Sequence, residues 1–159
     1  MLSPDRLTVK SQDALTEAIA HARRNGNPLV HDTHLLVALL AQEDGIVVPI
    51  LQKLGVTLPP LKEALEREIA RYPKQTDAQP SLARELTAVI DHAEKEAKKL
   101  GDEYVSTEHL LLGLVREGEG IAAGVLESLG VNLDKVRHEV IRVLSQSSSA
   151  GPAQETKRA

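Results

Sequence analysis

Two stretches decide the fold: residues 33–45 read THLLVALLAQEDG, and residues 106–131 read STEHLLLGLVREGEGIAAGVLESLGV. They belong to a longer duplication, because residues 11–69 align with residues 86–144 at a constant offset of 75 without a gap. Sixteen positions are identical, and most of them are core leucines or turn glycines, so the repeated object is a folding unit. We expect the two units to pack around a pseudo-twofold axis, with a seam between them that suits a ligand.

Each repeat is predicted to form four helices, which gives an all-α fold of about eight helices. The predicted helices span 8–25, 33–42, 46–54 and 60–70 in repeat one, and 81–100, 107–117, 121–129 and 133–144 in repeat two. The second helix of each repeat is apolar on every side, which is typical of a buried helix. Alanines lie four residues apart in both first helices, at Ala18/Ala22 and Ala93/Ala97. Because small residues let another helix approach closely, we expect the two first helices to cross near the axis.

The helix ends carry recognisable capping residues. Thr8, Asp32 and either Ser106 or Thr107 are the predicted N-caps. Glycines follow the first and third helices of both repeats, at Gly26, Gly55, Gly101 and Gly130, and predict left-handed stops there.

The chain is predicted to consist of a double-repeat domain, residues 1–145, and a flexible polar tail, residues 146–159. Within the domain, repeat one covers 8–70 and repeat two covers 81–144. Residues 71–80 are polar, include two prolines and predict a linker. The tail resembles an interdomain linker, so we expect the chain to be part of a longer protein.

Composition excludes several function classes. The chain has no cysteine, which removes thiol chemistry and Cys-ligated metals and is compatible with a cytoplasmic location. Two tyrosines, no Phe or Trp, and a net charge of −4 argue against nucleic-acid binding. No apolar run approaches the ~18 residues of a membrane span, so no membrane partner is expected.

We find no catalytic motif in the sequence. The glycines of 113–118 have the spacing of a phosphate-binding loop, but Glu119-Gly120 stand where Lys and Ser/Thr are needed. The chain is therefore predicted not to be an enzyme and to hold no cofactor. His31 and His34 could bind a metal, but a third ligand is not evident, so no metal site is predicted. We favour His34 and its mate His109 as buried structural histidines.

The two repeats resemble the Clp-type N-terminal repeat domain, which stands in front of the ATPase ring in ClpA, ClpB and ClpC. The resemblance covers about residues 5–145. DRLTVKSQDAL at 5–15 and ARYPK at 70–74 are similar to ClpB, the disaggregase. REGEGIAAGVL at 116–126 is similar to ClpC, the protease-associated unfoldase. The parent protein could therefore be of the ClpB or the ClpC type.

This resemblance implies a domain that docks unfolded or aggregated protein clients, or adaptor proteins, for a hexameric ATPase. The ATP-binding domains would lie outside this chain, and the isolated domain is expected to be monomeric. In ClpB relatives, a groove between the repeats takes up exposed apolar segments. Its polar rim corresponds here to Thr8, Asp102 and Glu108, and all three match the family pattern.

ClpC relatives suggest a different ligand, because a glutamate in each of their TEH motifs binds phosphoarginine. Repeat two keeps this glutamate as Glu108, whereas repeat one has Thr33 at the matching position. The mate of Thr8 is Ala83, so two complete phosphoarginine pockets are not expected. Thr33 and Thr107 are further binding candidates.

Three alternatives stay open at this stage. Glu108 could simply stabilise a helix N-terminus through the helix dipole. The chain could be a stand-alone Clp-repeat protein, or a phosphoarginine-type degron reader, that regulates a Clp protease. The third alternative, a helical nucleic-acid-binding regulator, is disfavoured by the charge and the missing aromatics.

Overall fold

The computed structural model describes residues 4–117 and 120–150 of the chain. Within these residues, eight α-helices form two sets of four, which confirms the all-α prediction. Repeat one contains α1 (Val9–Arg24), α2 (Asp32–Ala41), α3 (Val47–Lys53) and α4 (Leu58–Ala70). Repeat two contains α5 (Arg84–Lys99), α6 (Thr107–Glu117), α7 (Ile121–Ser128) and α8 (Leu133–Ala150). A 3₁₀ turn (Pro4–Arg6) and two short strands, β1 (Leu29–Val30) and β2 (Ser81–Leu82), complete the described elements.

The centre of the core is built by α2 and α6, as their apolar sequences predict. Leu35, Leu36 and Leu39 of α2 are fully buried, and so are Leu110 and Leu114 of α6. One continuous cluster of buried side chains joins these leucines to those of the other helices in both repeats. The two repeats therefore share a single core.

The predicted crossing of α1 and α5 at the axis is wrong. Among the described residues, the helix pairs that pack most extensively across the repeats are α2 with α6, α1 with α6, α2 with α5, α4 with α7, α2 with α7, α3 with α8 and α3 with α6, and the pair α1 with α5 is not one of them. Only α2 and α6 among these pairs are mates of each other. Because mated elements meet at the axis that relates them, the pseudo-twofold axis passes between α2 and α6.

The small residues of α5 do allow close approach, but to a helix of the same repeat. A side chain added at Gly113 of α6 would collide with the backbone oxygen of Val89 and would lie 3.2 Å from Cβ of Ala93. Repeat one has Ala38 at the matching position. The spacing of Ala93 and Ala97 therefore predicted tight packing correctly and its partner incorrectly.

The predicted glycine stops are confirmed. Gly26, Gly55, Gly101 and Gly130 all have positive φ, between 72° and 91°. After α3, for example, the amide of Val56 donates to the carbonyl of Leu51 at 3.0 Å, which is the Schellman pattern. Each repeat therefore turns sharply after its first and third helices.

Two predicted helix boundaries differ from the structure by three residues or more, and the others by at most two. α5 begins at Arg84 rather than at residue 81, because Ser81–Leu82 pairs as a strand. α8 continues to Ala150, so its last six residues extend beyond the predicted end at residue 144. Of the predicted tail, residues 151–159 lie outside the described residues, and the division into domain and interdomain linker stays a prediction.

Short strand pairs tie each repeat to the start of the other. β1 pairs with β2 in parallel, with Leu29 opposite Ser81 and Val30 opposite Leu82. The mated contact is an isolated parallel bridge between Leu7 and Val105. These two crossings place the first helix of each repeat beside the entry to the second helix of the other repeat.

Candidate functional site

The bridge between Leu7 and Val105 assembles the first part of the site around Thr8. The amide of Thr8 donates to the carbonyl of Val105 at 3.1 Å, and the amide of Val105 donates to the carbonyl of Arg6 at 2.8 Å. The Ser11 hydroxyl donates to the same Val105 carbonyl at 2.9 Å. The start of α1 is thereby fixed against the residues that lead into α6.

Thr8 itself is the N-cap of α1, as predicted. Its hydroxyl oxygen accepts from the amide of Ser11 at 3.2 Å, and the hydroxyl donates to that of Ser11 at 3.0 Å. Thr8 is fully buried, so its hydroxyl lies beneath the surface rather than on an open rim. The next residue, Val9, is 37% exposed and presents an apolar side chain beside the bridge.

Asp102 holds the repeated histidine of repeat two. The Nε2–H of His109 donates to Asp102 Oδ2 at 2.8 Å, and the amide of Ser106 donates to His109 Nδ1 at 2.8 Å. His109 is fully buried, whereas the side chain of Asp102 is 30% exposed. One carboxylate oxygen of Asp102 therefore positions the start of α6, and the carboxylate remains partly accessible to solvent.

Glu108 and Thr107 lie in the first turn of α6. Glu108 is 5% exposed and Thr107 is fully buried. The structure thus brings Thr8, Asp102 and Glu108 together around the segment 105–109. Thr8 is bonded to the Val105 backbone, Asp102 is bonded to His109, and Glu108 belongs to the segment itself. We call this group, together with Val9 and Tyr104, the cross-repeat site.

Repeat one has the same arrangement around its own histidine, but with a different side chain as the hydrogen-bond acceptor. His34 is fully buried; its Nε2–H donates to Asn27 Oδ1 at 3.0 Å, and its Nδ1 accepts from the amide of His31 at 2.9 Å. Both repeated histidines are therefore structural, as predicted. Asn27 takes the place of Asp102, so the acceptor is neutral in this half.

Thr33, the mate of Glu108, contacts a residue that the sequence did not single out. Its hydroxyl forms a 2.7 Å hydrogen bond with the phenol of Tyr72, from the linker. The Tyr72 ring lies 4.1 Å from the ring of His31 and 5.6 Å from that of His34, measured between centroids. The counterpart of the cross-repeat site in repeat one is thus filled by the chain itself.

The predicted N-cap role of Asp32 is wrong. His31 is the N-cap of α2, and Asp32 is its first residue. The Asp32 carboxylate instead accepts from the amide of Ala122 at 3.1 Å, which caps α7 of the other repeat. Gly120 makes this approach feasible, because a side chain there would collide with Asp32 Oδ2.

Burial shifts the ionisation of several of these groups. Burial, followed by the charges of His21 and His31, lowers the pKa of His34 to about 3. Burial raises the pKa of Asp32, and the charge of Glu85 adds to it, while the Ala122 amide opposes it. Burial also raises the pKa of Tyr72 to about 12, so its phenol is neutral at physiological pH.

No metal centre is formed within the described part of the chain, which holds no group of three or more His, Cys, Asp or Glu residues placed to bind an ion. Both ring nitrogens of His34 are already engaged, and Nδ1 of His31 contacts Glu85. The His31/His34 pair is therefore used within the protein. No helix of the described residues is long and apolar enough to cross a bilayer.

Comparison with known proteins identifies the family. A model described as the Clp repeat (R) N-terminal domain matches residues 6–119 and 107–158. The chain therefore belongs to the Clp repeat N-terminal domain family, and the resemblance found in the sequence is confirmed.

Individual relatives agree with this family and leave its branch open. Chaperone protein ClpB of Oceanobacillus iheyensis is 39% identical over 149 residues, which cover 92% of this chain and 18% of the relative. Negative regulator of genetic competence ClpC/MecB of Bacillus subtilis is 37% identical over 148 residues, which cover 93% and 18%. A solved complex of the ClpV N-domain with VipB peptide shares the fold, with a TM-score of 0.70, 18% identity and 88% of both chains covered. The chain thus spans about a fifth of its curated relatives' length.

Proposed function

We propose that this chain is a client- and adaptor-docking domain of a Clp-type chaperone or unfoldase, and that it binds extended polypeptide at the cross-repeat site. The observation that carries the proposal is the bridge between Leu7 and Val105. It places Thr8 and Val9 of one repeat alongside Tyr104, Val105 and the acidic start of α6 in the other. The fold-related ClpV N-domain supports a peptide ligand, because it has been solved with one.

The chemistry of the site suits an unfolded segment with flanking basic residues. Val9 and the half-buried Tyr104 offer apolar surface on either side of the bridge. Apolar contact contributes affinity without reading a particular sequence, which suits a domain that meets many clients. Asp102, Glu103 and Glu108 contribute carboxylates nearby, and these favour Arg or Lys in the ligand. The electrostatic part of the affinity should weaken as salt rises.

A titration with a fluorescently labelled, permanently unfolded α-lactalbumin tests the proposal. We expect Glu108→Gln to weaken binding about tenfold, because loss of a carboxylate charge close to a bound Arg or Lys costs about 1–2 kcal/mol even when the carboxylate is buried and makes no direct contact with the ligand. Asp102→Asn removes the second carboxylate but keeps the acceptor for His109, since Asn27 performs that role for His34 in repeat one. It should therefore weaken binding without unfolding the domain.

The matched control is Glu127→Gln, which removes the same charge from an exposed position on α7. Circular dichroism verifies that all variants are folded. Equal affinities for the wild type, Glu108→Gln and Asp102→Asn would contradict the proposal. An arginine-phosphorylated peptide added as a competitor distinguishes the alternative ligand: displacement of the client that depends on Glu108 would favour a phosphoarginine reader.

A further inference from the structure

The linker between the repeats forms a specific set of contacts with repeat one. Besides the bond between Tyr72 and Thr33, the Asn27 side-chain amide donates to the carbonyl of Pro73 at 3.1 Å. The amide of Gln75 donates to the carbonyl of Gly26 at 2.8 Å. A tilted ring contact, a hydroxyl contact and two hydrogen bonds along four consecutive linker residues resemble the way a peptide is held in a recognition site.

In the part of the chain that the structure describes, this contact is found in repeat one only. Position 147, which corresponds to Tyr72 at the offset of 75, lies inside α8, whereas α4 already ends at Ala70. Within the described residues, the chain after Leu133 therefore stays helical to Ala150, where repeat one leaves its fourth helix at Ala70 and turns back onto Thr33.

We propose that the counterpart site in repeat one is a recognition site for a peptide with a tyrosine followed by proline, held closed by the chain's own residues 71–75. The ligand's ring would stack on His31, its phenol would bond to Thr33, and the proline carbonyl would accept from Asn27. A partner segment of this chemistry binds once the linker leaves. This inference does not depend on the proposed function, because it concerns the other repeat and a different ligand.

The linker competes with any external peptide through its tether. A short tether gives an effective concentration in the millimolar range, so a free peptide of similar affinity occupies the site only at comparable concentrations. If the open state is less than about a tenth populated, the apparent affinity of the free peptide falls at least about tenfold. Removal of the tethered tyrosine should restore this affinity.

The test uses the acetylated and amidated peptide Arg-Tyr-Pro-Lys-Gln, which corresponds to residues 71–75. NMR follows the ring signals of His31 and His34 during its addition. In the Tyr72→Ala chain, the shifts should reach half-saturation at a peptide concentration at least about tenfold lower than in the wild type. Tyr72→Phe, which keeps the stack and loses the hydroxyl bond, should fall between them. Thr33→Val in the Tyr72→Ala chain should weaken the peptide about fivefold, as expected for one lost hydrogen bond.

A peptide with Ala in place of Tyr is the control and should leave both histidine signals unmoved. Unmoved signals in a folded Tyr72→Ala chain, or equal responses of the wild type and the variant, would overturn the proposal. If Tyr72→Ala does not fold, Tyr72→Phe takes its place: it should respond at lower peptide concentrations than the wild type, and equal responses of the two would overturn the proposal. Nuclear Overhauser contacts between the rings of Tyr72 and His31 are expected from their 4.1 Å separation, and their absence would also overturn it.

Discussion

Acidification should destabilise this domain through His34. The imidazole is fully buried, its Nδ1 accepts a backbone hydrogen bond, and its Nε2–H donates to Asn27. Burial is the main cause that lowers its pKa from 6.5 to about 3, so the folded protein keeps this side chain neutral. The unfolded chain, in contrast, takes up a proton as the pH falls below about 6.5. The stabilisation is therefore fully present above pH 6.5 and is lost progressively between there and pH 3.

The size of this effect follows from the two pKa values. Between pH 7 and pH 5, protonation of the unfolded state alone lowers the free energy of unfolding by about 2 kcal/mol, at about 1.4 kcal/mol for each pH unit below the unfolded pKa. That is a large part of the total stability of a typical domain. His21, whose pKa is also lowered, adds to the loss in the same direction.

Urea denaturation at pH 7 and pH 5 isolates the contribution of His34. His34→Gln should be less stable than the wild type at pH 7, and its stability should depend less on pH, by about 2 kcal/mol over this interval. His138→Gln is the matched control, because His138 lies exposed on α8. A folded His34→Gln variant whose stability depends on pH as strongly as that of the wild type would refute the reasoning, because the variant lacks the imidazole to which the dependence is assigned.

Four further substitutions test the packing. Leu39→Ala and Leu114→Ala should each cost roughly 2–5 kcal/mol in chemical denaturation, because both leucines are fully buried; a cost under ~0.5 kcal/mol would be a surface-like effect. Gly113→Ala should cost about 1–3 kcal/mol, because the new methyl group meets the backbone of α5, and an unchanged stability would contradict the close approach of the two helices. Asp32→Ala should lower stability by about 1–2 kcal/mol, because the amide of Ala122 loses its acceptor; a melting temperature equal to that of the wild type would show that this cap contributes nothing.

The helices were predictable because their signals are local. A run such as Leu35–Leu40 has no polar face, so its burial does not depend on knowing its neighbours. Tertiary partners are a different matter. The spacing of Ala93 and Ala97 predicts that a helix packs closely, but it does not reveal that this helix is α6 rather than α1. The position of the pseudo-twofold axis could therefore not be predicted from the sequence.

Capping by side chains shows the same limit. Asp32 precedes an apolar run and matches the pattern of an N-cap, yet its carboxylate reaches Ala122, 90 residues away. No spacing rule contains that contact, because it depends on how the two repeats dock.

Thr8, Asp102 and Glu108 of the cross-repeat site came from the family resemblance, and their role in binding stays a prediction. The structure adds that Thr8 and Glu108 are buried. Tyr72 was missed, although one signal was available: it is one of only two tyrosines, and repeat two has no tyrosine at the matching position. An aromatic residue without a mate, in a linker between repeats, is a natural place to look for a specific contact.

The most direct test of the central claim is a map of where an unfolded client touches the domain. Backbone amide shifts of the labelled domain would be followed while unfolded α-lactalbumin is added. We expect the largest shifts at Thr8–Ser11 and Asp102–His109, on both sides of the bridge between Leu7 and Val105, with little change on α4. Shifts confined to α4, or spread evenly over the surface, would contradict a client site between the repeats.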